Sequence, residues 1–289
     1  MLANLEDDLN INIADHFDLI VGTSTGGIIA IGLSIGYRPS EILDFYVSNK
    51  RQIFNKNIFT DIKHLYKNKY SPDILEQSLK KYFKENRLAD CKNRIVIPAY
   101  NMSDDEVYIF KTPHHERLRR DYKVPLWKVA MATSAAPTYF PSFNDIDNIR
   151  LIDGGVWANN PTLVGITEAI SMLNINISDI KVLSLGTTTN LKDRSAKLNR
   201  GGLWQWKYDG VNLLMHCQSI GTFNTVTHIL GKDNILRIDP VVPDGLFKLD
   251  KLNTSELIAK ASSSSRKLMP KVKEKFFSHF AEKYVPLYK

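Results

Sequence analysis

Ser24 stands between Gly22 and Gly26, with Thr23 and Thr25 completing the pentad, inside the stretch Asp18 to Ala30 (DLIVGTSTGGIIA). This G-x-S-x-G spacing suits a nucleophile elbow, in which a serine is raised on a sharp strand-to-helix turn in strained backbone. Side chains at the two flanking positions are expected to collide with the turn, so glycine is needed at both. The helix that follows points unpaired N–H groups and partial positive charge at the serine oxygen, favouring the anion formed in acyl transfer. A second group able to do chemistry is Asp153, followed by Gly154 and Gly155. A carboxylate is a weaker base than imidazole at neutral pH. At a strand end beside glycines, in a partly desolvated cleft, its basicity rises enough to take the serine proton. Each pattern also has a plain structural reading, as a glycine-rich turn or an Asp-Gly turn pair.

The elements that must position these groups are legible in outline. Phe17 to Val21 reads as a buried strand, and a helix opens at about Gly27. Asn93 to Ala99 is a second buried strand, and Glu106 to Thr112 alternates as an antiparallel neighbour. Ile149 to Ile152 is a short strand running into Asp153. Helices are expected from Met1 to Asn12, from Pro39 to about Asn49, after the Ser71-Pro72-Asp73 cap, and from Pro125 to Ala136. The small residues of the last permit close packing near the elbow. Asn159-Asn160-Pro161 opens a helix reaching Met172, and Lys181 to Leu185 is another strand. Trp204 to Leu230 reads as helical, Asn234 to Ile238 as a strand, and two helices, Ser255 to Met269 and Lys271 to Tyr284, close the chain. Strands alternating with helices indicate an α/β fold with a mostly parallel central sheet covered on both faces. Ser24 and Asp153 each follow a strand directly, which places them at the same edge of the sheet.

Composition bounds the function classes. The chain is 43% hydrophobic and 24% charged over 289 residues, enough for one large core or two modest ones. Cys91 and Cys217 form no C-x-x-C pair, which argues against a disulfide framework or a cysteine zinc site and for a reducing cytoplasm. His114-His115 lacks a third ligand at suitable spacing, so a surface loop is expected there and no metal. Leu19 to Tyr37 carries no charge, but its glycines and hydroxyl residues mark a buried strand and helix rather than a membrane span. Residues 261–289 hold five of the seven net positive charges. Such a tail suits peripheral contact with an anionic membrane surface, or equally a solvated helix face. The Trp204-x-Trp206-Lys207-Tyr208 cluster suits core packing better than base stacking or a lipid interface, and no nucleic-acid partner is expected.

Three catalytic arrangements are open to Ser24. An α/β-hydrolase triad would take Asp153 and one of His216, His228 or His279, but only 21 residues precede Gly22, where that fold has several strands. A Ser24–Asp153 dyad is the second. Acyl transfer to an acceptor other than water is the third.

Three blocks bring a family into view: Asp18 to Gly27 (DLIVGTSTGG), Ala132 to Pro141 (ATSAAPTYFP) and Asp153 to Pro161 (DGGVWANNP), with Leu183 to Gly186 (LSLG) after them. In this order they resemble the patatin-like phospholipases. The resemblance implies a three-layer α/β/α fold over residues 1–189. It also implies a Ser–Asp dyad without histidine, no cofactor or metal, and hydrolysis of phospholipid or other lipid esters. Ser24 would be the nucleophile and Asp153 the proton acceptor. Residues 190–289 are read as a helical extension packed on the same domain. Some bacterial members of the family resemble effectors switched on by cyclic nucleotides; residues after 190 could house such control, though no motif there marks it. One feature departs from the pattern. The glycine-rich Asp-Gly-Gly-Gly-x-Arg-Gly loop that resembles an oxyanion hole in this family is absent, and Met1 to Glu6 matches the helix that follows it. A start about 25 codons upstream is expected on that account; a catalytically impaired lipid-binding protein is the alternative.

Overall fold

The computed structural model describes the chain except residues 54–70, 188, 192–198, 200, 203–205, 207–209, 244–246, 249–250 and 253. Helix α1 (Leu2–Leu9) buries Leu5 and leads through a 3-10 turn (Ile13–His16) into strand β1 (Leu19–Val21). Helix α2 (Thr25–Ser34) is apolar on every face and accordingly buried, every residue from Gly27 to Ser34 except Ile29 lying inside. Helix α3 (Pro39–Ile53) and helix α4 (Pro72–Phe83) follow. Ser71 caps α4, its hydroxyl accepting from the Asp73 N–H, as the Ser-Pro-Asp signature requires.

Strand β2 (Arg94–Asn101) is the axis of the sheet. On one edge it pairs antiparallel with β3 (Glu106–Lys111) over Val96 to Asn101. Its other edge is shared by two strands in tandem. The first, β1, runs parallel and ends with Val21 opposite Val96. The second, β4 (Leu151–Asp153), runs antiparallel and descends from Asn101 to end with Asp153 opposite Ala99. The two strand ends therefore face one another along β2 across Ile97 and Pro98. A proline inside a central strand ordinarily removes a ladder bond. Here the ladder is interrupted at that point: Gly22 N–H still donates to the Val96 carbonyl at 3.2 Å, and the next donor in a parallel ladder would be residue 98. Pro98 costs nothing where no partner strand waits for its N–H.

Helix α5 (Leu126–Ser134), a turn of helix α6 (Gly155–Ala158) and helix α7 (Thr162–Ser171) complete the frame of the site. Strand β5 (Val182–Leu185) pairs parallel with β7 (Ile235–Ile238), and β6 (Thr189–Leu191) with β8 (Val241–Pro243). Helix α8 (Gly210–Leu230) lies between them in sequence, and helix α9 (Thr254–Phe276) brings Val272 and Phe276 against Leu5 and Ile13. The architecture is the α/β one expected, with helices packed against parallel and antiparallel strand pairs.

Several local expectations change. The two closing helices are one: Pro270 lies inside α9, which stops at Phe276, and residues 277–289 form no helix. The expected break falls at Pro270, and a proline within a long helix does not enforce one when packing carries the helix through. Asp153 reaches the site on an antiparallel strand, so the two groups share a gap rather than one end of parallel strands. His114 does not lie open on a surface loop, since its side chain is 0% exposed. Its Nε2 sits 3.0 Å from Glu168 Oε1, and Lys111 Nζ donates to Glu168 Oε2 at 2.5 Å. Of the aromatic cluster, Trp204, Lys207 and Tyr208 lie outside the described residues, and Trp206 is 37% exposed.

Candidate active site

Ser24 caps α2 with φ of 57° and ψ of −127°, a left-handed backbone that a serine adopts only when its surroundings impose it. The imposition is visible on both sides. A Cβ at Gly22 would lie 2.1 Å from the Gly26 carbonyl oxygen, and a Cβ at Gly27 would lie 2.8 Å from Thr133 Cγ2. Thr23 Oγ1 donates to the Ala158 carbonyl at 2.8 Å, tying the elbow to the end of α6. Thr25 is exposed and begins the helix. Gly26 differs from the expectation, because a Cβ there would meet nothing within 4 Å. The glycine that sterics demand on the helix side is Gly27, which the pentad does not include.

Asp153 is 5% exposed at the end of β4. Ser24 Oγ donates to its Oδ2 at 2.6 Å, and the Gly155 N–H donates to its Oδ1 at 2.7 Å. Both oxygens are thus held, one by the hydroxyl it would deprotonate. Burial pushes the carboxyl up to about 6, against the pull of the Ser24 and Gly155 hydrogen bonds, which favour the charged form. Gly154 is required by close approach: a Cβ would lie 2.3 Å from the Pro98 carbonyl oxygen. Trp157 Nε1 donates to the Ala99 carbonyl at 2.8 Å, and Gln218 Nε2 to the Trp157 carbonyl, so α8 is fastened behind α6.

The histidines that a triad would need are elsewhere. His279 Nε2 is 2.8 Å from Asp18 Oδ2, and His228 is exposed at the far end of α8. Among the described residues, the hydrogen-bond partners of the Asp153 carboxylate are the Ser24 side-chain hydroxyl and the Gly155 main-chain N–H, and no histidine joins them. A half-buried serine on a strained strand-to-helix turn, hydrogen-bonded to a buried carboxylate, can pass its proton to that carboxylate as it attacks, without imidazole.

Residues 2–166 match the family model described as patatin-like phospholipase, more than half of the chain. The chain belongs to the patatin-like phospholipase family. Relatives of this patatin-like chain include a cGAMP-activated phospholipase of Vibrio cholerae, 33% identical over 201 residues, 63% of this chain and 57% of that protein. A cGAMP-activated phospholipase of Pseudomonas aeruginosa is 31% identical over 249 residues, covering 84% and 74% of the two chains. Patatin-like protein 4 of Arabidopsis thaliana is 29% identical over 237 residues, 72% of this chain and 59% of that one. The bacterial similarities support a bacterial member of the family. The patatin-like chain spans little more than half the length of the Vibrio relative. Among its described residues no helix is long and apolar enough to cross a membrane.

Sequence reasoning singled out the pair but missed what fastens it. Thr133 sits in the ATSAAPTYFP block without a role assigned, and Trp157 in DGGVWANNP likewise. The signal in the sequence that could have found the gap is Pro98, a proline in a strand otherwise reading as central.

Proposed function

We propose that this chain hydrolyses acyl esters of phospholipids or related lipids, with Ser24 as nucleophile and Asp153 as the base. The observation that carries the reading is the 2.6 Å hydrogen bond from the strained Ser24 hydroxyl to a buried carboxylate. Asp153 takes the hydroxyl proton as Oγ attacks the ester carbonyl. Collapse of the tetrahedral adduct breaks the ester C–O bond, and the departing alcohol takes that proton. Water then attacks the acyl-enzyme, gives a proton to Asp153, and the fatty acid leaves as Ser24 recovers its hydrogen. The N–H groups of Thr25 and Gly26 lie in the first turn of α2, where no intrahelical acceptor exists, and they supply donors for the developing oxyanion.

The direct test is labelling of the purified chain with a fluorophosphonate, read by intact mass, beside Ser24→Ala and Asp153→Asn. One adduct on the parent chain, none on Ser24→Ala and slow labelling of Asp153→Asn are expected. A folded parent chain that takes no adduct overturns the dyad and favours a lipid-binding protein without turnover. Fatty-acid release from mixed phospholipid vesicles, with and without cGAMP, then tests the substrate class and whether the activation named for the bacterial relatives extends here. Added alcohol or thiol acceptors separate hydrolysis from acyl transfer.

A further inference from the structure

The end of helix α5 touches both members of the pair through main-chain groups. Thr133 is 0% exposed, and its Oγ1 accepts from the Ser24 N–H at 3.0 Å while donating to the Pro98 carbonyl at 2.6 Å. Two residues on, the Ala135 carbonyl accepts from the Asp153 N–H at 3.0 Å. A continuing parallel ladder would join Ser24 N–H directly to the Pro98 carbonyl. Here the Thr133 hydroxyl is inserted into that bond, and Pro98, which has no N–H, closes the ladder off. The same carbonyl oxygen is the one that excludes a side chain at Gly154. One threonine hydroxyl thus spaces the elbow from β2 by the width of an oxygen.

We infer that Thr133 is a positioning residue for the nucleophile: its hydroxyl sets the distance of the Ser24 backbone from β2 and so the reach of Oγ to Asp153. The inference rests on the Ser24–Asp153 reading above. Threonine suits the task better than serine or valine for separate reasons. The hydroxyl accepts and donates at once, and a β-branched side chain has few χ1 choices, so the oxygen is held in one place. The methyl group, Cγ2, packs under Gly27, where a Cβ would meet it at 2.8 Å. Without the hydroxyl, the Ser24 N–H and the Pro98 carbonyl are left buried and unpaired, and the elbow must shift toward one or the other.

The experiment compares Thr133→Val, which keeps the shape and removes the hydroxyl, with Thr133→Ser, which keeps the hydroxyl. Two readouts are taken on each: the second-order rate of fluorophosphonate labelling, and hydrogen exchange of the amides around Ser24. Thr133→Val is expected to label about 10²-fold more slowly, the usual effect of displacing a reacting atom by about an ångström. Its Ser24 amide should exchange faster. Thr133→Ser is expected to stay within about threefold of the parent on both, since its hydroxyl bonds survive. Equal rates for the parent and a folded Thr133→Val overturn the inference, as does a Thr133→Ser variant as slow as Thr133→Val. Should Thr133→Val not fold, Thr133→Ala replaces it, and parity of Ala with Ser overturns the inference in the same way. A parent chain that does not label at all sinks the dyad, not this inference; the exchange comparison then decides whether the Thr133 hydroxyl holds the elbow.

Discussion

Replacing Asp153 by asparagine should stabilise the protein at neutral pH while slowing its labelling, and the pH dependence of both effects follows from one number. The folded carboxyl ionises near 6 against an ordinary value of 3.8, chiefly because it is buried. A raised acid pKa means the native state binds its proton more tightly than the unfolded chain does, so native stability falls as pH rises from about 4 to about 6 and is level beyond. The difference of about two units corresponds to about 3 kcal/mol. Asparagine has the same shape and no proton to lose, so Asp153→Asn escapes that loss. Relative to the parent, its stability should climb by about 3 kcal/mol between pH 4 and pH 7, which at about 2–4 °C per kcal/mol is a relative rise in Tm of about 6–12 °C. Taking the difference at each pH cancels every other titrating group. In the proposed dyad the same carboxylate is the base, so parent labelling by fluorophosphonate should rise along a one-proton limb centred near 6 and level off above about 7. Thermal melts and labelling rates across pH 4–8 measure both. A Tm difference that does not vary with pH, or a labelling limb centred near 4, would refute the desolvated-base argument.

Four further outcomes are expected. Ser24→Gly removes the strain of a positive φ at a residue with a side chain, and denaturant melts should show a gain of about 1–3 kcal/mol together with loss of labelling. Gly26→Ala should fold and melt like the parent or slightly above it, whereas Gly22→Ala and Gly154→Ala, whose new methyls meet main-chain oxygens at 2.1 and 2.3 Å, should express poorly or unfold, as circular dichroism will show. His216→Ala, His228→Ala and His279→Ala should each label within about twofold of the parent, since among the described residues no histidine hydrogen-bonds to the pair, and a large loss in any would restore a triad. Glu168→Ala leaves the Lys111 ammonium and the buried His114 without their carboxylate and should cost about 3–5 kcal/mol in urea melts.

Much of this was legible before any coordinates. The strand–turn–helix around Ser24, the strand into Asp153 and the antiparallel neighbour Glu106–Lys111 follow from apolar runs, alternation and glycine placement, which are local signals. Strand direction is not local. Whether β4 runs with or against β2 depends on how residues 102–150 return the chain, and nothing within Leu151–Asp153 records it. The steric role of each glycine was equally hidden: Gly22 and Gly154 meet carbonyls, one across the turn and one on a different strand, while Gly26 meets nothing. His114 looked like a loop residue because its neighbours are polar, yet its partner Glu168 lies 54 residues away on α7. Thr133 carries no motif of its own, and its importance exists only where three segments meet.

The gap along the edge of β2, between the ends of β1 and β4, gathers Ser24 and Asp153, and on the proposed dyad it also sets when the chain can become reactive. The two side chains are 129 residues apart in sequence. As the polypeptide leaves the ribosome, Ser24 emerges long before Asp153, so no shorter nascent fragment holds both nucleophile and base. A premature stop anywhere between them yields an inert product. On the proposed dyad the site is therefore incomplete until residue 153 has been made.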